Sequence, residues 1–87
     1  MYRVEIARKA RRRLLRLSPT LREWIAEAIG LLGATPHSPG RDVRPLVDDP
    51  EAQYRLRAGR YRVKFNKDDS AGVIQVVRIS HRSEVYR

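Results

Sequence analysis

The run YRLRAGRYRVKF, residues 54–65, alternates apolar and basic positions on either side of a glycine. A period of two is the signature of a strand with one buried face. Two such runs split by Ala58-Gly59-Arg60 make a tight hairpin, with Gly59 supplying the permissive backbone of the turn. Side-chain directions then follow by parity. Tyr54, Leu56 and Ala58, with Tyr61, Val63 and Phe65, take the core side. Arg55, Arg57, Arg62 and Lys64 crowd the opposite side. Like charges facing each other across strands destabilise a sheet, by a few tenths to about 1 kcal/mol per pair. No acidic residue alternates with these four to offset the repulsion. A sequence that carries it fits a surface that binds an anion.

The rest of the chain fills in around the hairpin. Residues 2–6 alternate and read as a short strand. From Ala7 the apolar positions Ala7, Ala10, Leu14 and Leu17 recur at steps of three and four, one stripe of a helix. Ser18-Pro19 starts a second helix, with Ser18 at the cap and Pro19 in the first turn. Its apolar positions are Leu21, Trp24, Ile25, Ala28, Ile29 and Leu32, and Gly33 is placed to end it. Residues 33–53 are rich in Gly, Pro and Asp and read as a long loop in which only Val43, Leu46 and Val47 suit a core. Residues 66–72 form a polar turn. Residues 73–79 are apolar at almost every position, as expected of a central strand covered on both faces. Residues 84–86 suit a short last strand. The pattern predicts one α+β domain over residues 1–87. A leading strand and a helical hairpin precede a three- to four-strand, mainly antiparallel sheet with the helices on one face.

Composition narrows the partner. The formal charge is +9, and sixteen of the nineteen basic residues are arginine. That balance favours a polyanion, and arginine grips phosphate in a bidentate fork. No cysteine is present, so disulfides and thiolate metal sites are excluded. His37 and His81 lie far apart in sequence and do not suggest a zinc site. No apolar run approaches membrane-spanning length, and residues 1–10 lack the apolar core of a signal peptide. A soluble cytoplasmic protein without metal, cofactor or membrane partner is expected. The basic residues 8–16 surround the helical stripe; Arg11 and Arg12 among them suit a nucleic acid backbone or an acidic partner.

The chain ends in RISHRSEVYR. His81 is, with His37, the group able to exchange protons near neutral pH. Tyr86 and Arg82 lie close to it in sequence. Surrounding positive charge favours a phenolate and disfavours a protonated imidazole. A neutral histidine and an acidified tyrosine among arginines are suitable groups for acid–base work on a phosphodiester.

The hairpin string YRLRAGRYRVKF followed by VVRISHRSEVYR resembles the RelE-type toxins of bacterial toxin–antitoxin pairs. The order of leading strand, helical hairpin and β-meander resembles them too, so the likeness covers nearly the whole chain. The resemblance implies a RelE-like fold of the microbial-RNase kind. It also implies a ribosome-dependent endoribonuclease that cuts mRNA in the A site. In the family the ribose 2′-hydroxyl attacks the adjacent phosphate without a metal, leaving a cyclic phosphate and a 5′-hydroxyl. A RelB-like antitoxin, the 70S ribosome and mRNA are the implied partners, with operator DNA reached only through the antitoxin complex. Arg55 and Arg57 match positions where the best-known members carry lysine, Arg62 matches the family arginine, and Tyr86 matches the C-terminal tyrosine. The basic position before it falls on His81 or Arg82. Arginine is effectively never deprotonated. On this reading Arg55, Arg57, Arg62 and Arg82 stabilise charge, and proton transfer falls on His81 or Tyr86. Lys64, Arg60 and Arg78, with Arg11 and Arg12, are expected to hold RNA phosphates. Two other functions compete: a ParE-type poison of DNA gyrase, and a catalytically weak homologue that serves only to bind antitoxin and operator.

Overall fold

The computed structural model describes residues 1–34 and 43–84. The hairpin forms as the alternation requires. Strand β3 (Tyr54–Ala58) and strand β4 (Tyr61–Asp68) run antiparallel, with Leu56 opposite Val63 and Ala58 opposite Tyr61. Leu56, Ala58, Val63 and Phe65 are buried, and the Tyr54 and Phe65 rings stack at 5.5 Å. Arg57 stands opposite Arg62, and Arg55 opposite Lys64.

Strand β5 (Val73–His81) pairs antiparallel with β4, and strand β1 (Arg3–Ile6) lies parallel to β5 on its other side. A short edge strand, β2 (Val43–Pro45), pairs with β3. The sheet is therefore five-stranded and mixed, in the order β1-β5-β4-β3-β2. Helices α1 (Arg8–Arg16) and α2 (Pro19–Ala34) cover one face. Ala10 and Leu14 of α1 and Ile25, Ile29 and Leu32 of α2 meet Leu56, Val63, Phe65, Ile74, Val76 and Ile79 of the sheet in one core.

The α+β architecture follows the sequence pattern, and the differences have physical causes. Val43–Pro45 is a strand rather than loop. It is too short to show a period, and its proline is tolerated because an edge strand need not donate every backbone N–H. Of the short last strand expected over residues 84–86 only Glu84 is described, and it closes a short 3-10 helix, Arg82–Glu84; residues 85–87 lie outside the described residues. Strand β5 is not covered on both faces. Lys64 pairs with Arg78 while Phe65 pairs with Val76, so Val77 is an extra residue, a β-bulge. The bulge, not double-sided burial, accounts for the adjacent Val76 and Val77. Val76 is buried, Val77 is half-buried and Gln75 is exposed.

Gly33 does not stop α2, which runs to Ala34. Gly33 is buried because the start of the chain crosses it: its carbonyl accepts the Tyr2 N–H at 2.7 Å, and an added Cβ would lie 2.9 Å from the Tyr2 carbonyl oxygen. The obstacle is backbone and cannot rotate away. Gly33→Ala is expected to destabilise the fold by about 1–3 kcal/mol, the usual range for overpacking. Urea unfolding of the two proteins measures the difference.

Candidate active site

The hairpin turn sets the site. Gly59 has φ +59°, and Trp24 of α2 lies beneath it, with ring carbons 2.6 Å and 2.9 Å from where a Cβ would sit. A side chain there would collide with the indole and strain the backbone. On the hairpin's outer face, Arg57 and Arg62 stand side by side by register. The chain returns to this turn after β5: the Arg82 N–H donates to the Arg60 carbonyl at 2.7 Å. The result is a cavity of about 320 Å³ lined by Arg57, Gly59, Arg60, Arg62 and Arg82. Arg62 is half-buried, with its Nε closed off from solvent and making no hydrogen bond, although the side chain keeps other interactions. Among the described residues that line it, four carry guanidinium groups and none a carboxylate, and guanidinium is a group suited to phosphate oxygens.

The other basic residues of the same sheet face are engaged differently. Lys64 Nζ contacts Asp49 at 2.7 Å and Glu51 at 3.5 Å, and Arg78 makes a two-nitrogen contact with Glu51, closest at 2.7 Å. The segment bearing these acids is stapled to β4. Asn66 accepts the Gln53 N–H and donates to the Glu51 carbonyl, and Asp49 accepts the N–H groups of Glu51 and Ala52. Lys64 holds the Asp49 carboxyl below its usual range, and Arg78 does the same for Glu51. The expectation of a hairpin face without compensating acids is thus corrected. The acids come from the connection before β3, where parity along the hairpin does not reveal them. Lys64 and Arg78 are thus paired with these acids, and Arg57, Arg60, Arg62 and Arg82 gather at the turn. Arg55, half-buried and in register with Arg44 and Lys64, is not a wall of the cavity.

The structure brings Arg57, Arg60, Arg62 and Arg82 together and sets His81 apart. His81 is directly opposite Tyr61, and the two rings meet edge-on at 5.1 Å. Cross-strand partners share a face, so the imidazole lies on the helix side, away from Arg57 and Arg62. Its Nδ1 is 2.8 Å from Ser83 Oγ and accepts the Ser83 N–H at 3.2 Å. Arg12 lines a separate groove with Lys9, Arg13, Arg16 and Arg78, of about 260 Å³, and Arg11 is exposed elsewhere on α1. Tyr86 and His37 lie outside the described residues. Among the described residues no group of three or more His, Asp or Glu is arranged to hold a metal, and no helix is long and apolar enough to cross a membrane.

Two residues that sequence patterning passed over anchor the tail. Arg13 of α1 makes a bidentate contact with Glu84, Nη2 to Oε1 at 2.8 Å and Nη1 to Oε2 at 3.1 Å. Glu84 Oε1 also accepts the His81 N–H at 2.6 Å. Arg13, then the His81 N–H, hold the Glu84 carboxyl down at about 2. Because the folded value is depressed from 4.5, the stabilisation is fully present above about pH 4.5 and is lost as pH falls through about 2. Glu84→Gln should therefore lower the thermal midpoint near neutrality, with the gap to the parent closing as pH approaches 2. Thermal melts of both proteins across pH 2–7 check the convergence.

Comparison with known proteins agrees with the fold. The family described as the ParE toxin of type II toxin–antitoxin systems matches residues 4–86. The chain is 31% identical over 87 residues to toxin RelG of Mycobacterium tuberculosis, spanning 99% of this chain and 97% of that protein. It is 33% identical over 86 residues to toxin RelE of the same organism, spanning 99% and 87%. A chain of the toxin–antitoxin complex RelBE2 from M. tuberculosis superposes with a TM-score of 0.78 at 29% identity, covering 93% of this chain and 98% of that one. An archaeal RelE–RelB complex from Pyrococcus horikoshii gives a TM-score of 0.78 at 26% identity, covering 93% and 94%. A match over nearly the whole sequence, shared with relatives named RelG and RelE, means that the chain belongs to the RelE/ParE superfamily of toxins from type II toxin–antitoxin systems.

Proposed function

We propose that this toxin is a ribosome-dependent endoribonuclease that cuts mRNA in the A site, in the cytoplasm, and is held in check by a RelB-like antitoxin. The observation that carries this reading is the cavity of Arg57, Arg60, Arg62 and Arg82. It has the size and charge for one phosphodiester. In the proposed reaction the ribose 2′-oxygen forms a bond to phosphorus as the bond to the 5′-oxygen breaks. The 2′-hydroxyl proton leaves to a base, the departing 5′-oxygen gains a proton, and a 2′,3′-cyclic phosphate remains. The extra negative charge of the phosphorane-like transition state is where fixed guanidinium groups are most effective.

Arg57, Arg62 and Arg82 supply that stabilisation, and Arg60 binds the flanking backbone. Arg55 acts from beyond the cavity through its positive charge. Proton transfer is assigned to Tyr86 rather than His81, because the His81 ring lies across the sheet from the arginines and its Nδ1 is bound to Ser83. With few groups for proton transfer, the ribosome's orientation of the mRNA supplies much of the rate. Lys64, Arg78, Arg12 and Arg11 serve as general attraction for RNA. The RelB-like antitoxin is inferred from relatives crystallised as RelB–RelE complexes; operator DNA would be reached only through that complex.

Poisoning of DNA gyrase is the second reading, favoured by the description of the matching family as ParE. The four-arginine cavity, one wall of which is Arg82, weighs against it, since a gyrase poison has no need of a phosphodiester-cutting site.

Purified 70S ribosomes programmed with a defined mRNA provide the test. Arg62→Ala should slow cleavage roughly 100- to 1000-fold, the usual loss when one donor to a developing anion is removed. Tyr86→Phe removes only a hydroxyl and should slow it by a factor on the order of 100 or more. Parental rates for both variants contradict the assignment.

A further inference from the structure

The cavity's fourth arginine reaches it from a segment with little structure of its own. Arg82 begins a three-residue turn at the end of β5. A turn this short has no cooperative stability, yet it is tied down at several points. Two bonds join it to the sheet end: Arg82 N–H to the Arg60 carbonyl, and Ser83 N–H to His81 Nδ1. The third tie is Glu84, which reaches back to the His81 N–H and across to Arg13 of α1. Tyr61 completes the ring of contacts, touching the His81 imidazole edge-on and lying close enough to Arg13 to act on its guanidinium.

Among the described residues, Arg13 is the α1 side chain that pairs with the tail. Its side chain is 30% exposed, and that of Glu84 is 44% exposed. In itself such a pair contributes little to global stability. Its geometry is more telling than its energy. A planar bidentate contact fixes the carboxylate plane, and the same carboxylate fixes the His81 backbone, one residue before Arg82.

We infer that Glu84 and Arg13 are positioning residues, forming a latch between α1 and the tail that holds the Arg82 guanidinium in the cavity opposite Arg57 and Arg62. This rests on the nuclease reading above. The latch touches no substrate; it acts by fixing the turn that carries Arg82. A displacement of about 1 Å in a catalytic group can cost on the order of 100-fold in rate. Loss of the latch is therefore expected to show in the chemical step rather than in binding. It also gives His81 a purpose on the helix side of the sheet: its Nδ1 and its N–H are two of the latch's fixed points.

The test uses the full chain and three variants, Glu84→Ala, Glu84→Gln and Arg13→Gln. Single-turnover cleavage of ribosome-bound mRNA is followed against toxin concentration. Glu84→Ala should lower the maximal rate roughly 10- to 100-fold with the half-saturating concentration within about threefold of the parent. Glu84→Gln keeps an oxygen for the His81 N–H and should fall between the two. Arg13→Gln leaves the Glu84–His81 bond in place and covers the case in which Glu84→Ala does not fold. Rates within twofold of the parent, or a loss confined to half-saturation, overturn the latch. Hydrogen exchange of the isolated proteins separates this inference from the nuclease reading. Exchange at the His81 and Arg82 amides should be at least about tenfold faster in Glu84→Ala, whether or not the parent cuts RNA. Unchanged exchange overturns the latch; absence of cutting by the parent with faster exchange upholds the latch and removes the nuclease reading.

Discussion

The pairing of β4 with β5 governs which face Arg78, Ile79 and His81 take, and its decisive feature is one extra residue. Without the bulge at Val77, parity from Ile74 and Val76 would send residue 78 into the core and residue 81 to the outer face. With it, Ile79 follows Val76 into the core, Arg78 emerges beside Lys64, and His81 joins Tyr61 on the helix side. A single-residue slip thus spares the core a buried arginine. It also removes the imidazole from the face that carries Arg57 and Arg62. The proposed assignment of proton transfer away from His81 rests on this strand geometry.

The cavity is the consequence of an unfavourable arrangement confined to one end of the sheet. Arg57 and Arg62 are held opposite each other because Leu56, Ala58, Val63 and Phe65 have to be buried, and burial of that apolar set outweighs a repulsion of under about 1 kcal/mol. Farther along the same strands the fold relieves the crowding with Asp49 and Glu51. At the turn the described lining residues include Arg60 and Arg82 and no acid.

The hairpin, the two helices and their buried faces were legible in the sequence because each is a long periodic run whose apolar set has one place to go. Arg57, Arg60 and Arg62 could be placed beside the turn on the same grounds, and Arg82 by its position just after a central strand. Other features left no periodic trace. Val43–Pro45 is three residues long, and Gly33 looks like a helix stop until the chain start is seen to cross it. The bulge is invisible because Val76-Val77 in an apolar run fits a doubly buried strand equally well. Asp49 and Glu51 act across a turn of loop, and Glu84 acts on a helix 71 positions earlier; sequence spacing carries no mark of either. In the described part of the tail, Arg82 lines the cavity and Glu84 bonds Arg13.

The measurement that bears most directly on the central claim is induced expression in bacteria with parallel mapping of mRNA 5′ ends and of chromosomal breaks. If the arginine cavity cuts mRNA on the ribosome, new 5′-hydroxyl ends will appear within codons of translated messages, translation will stop, and the chromosome will stay intact. Broken DNA with a DNA-damage response and unaltered messages would contradict the account and identify a gyrase poison instead.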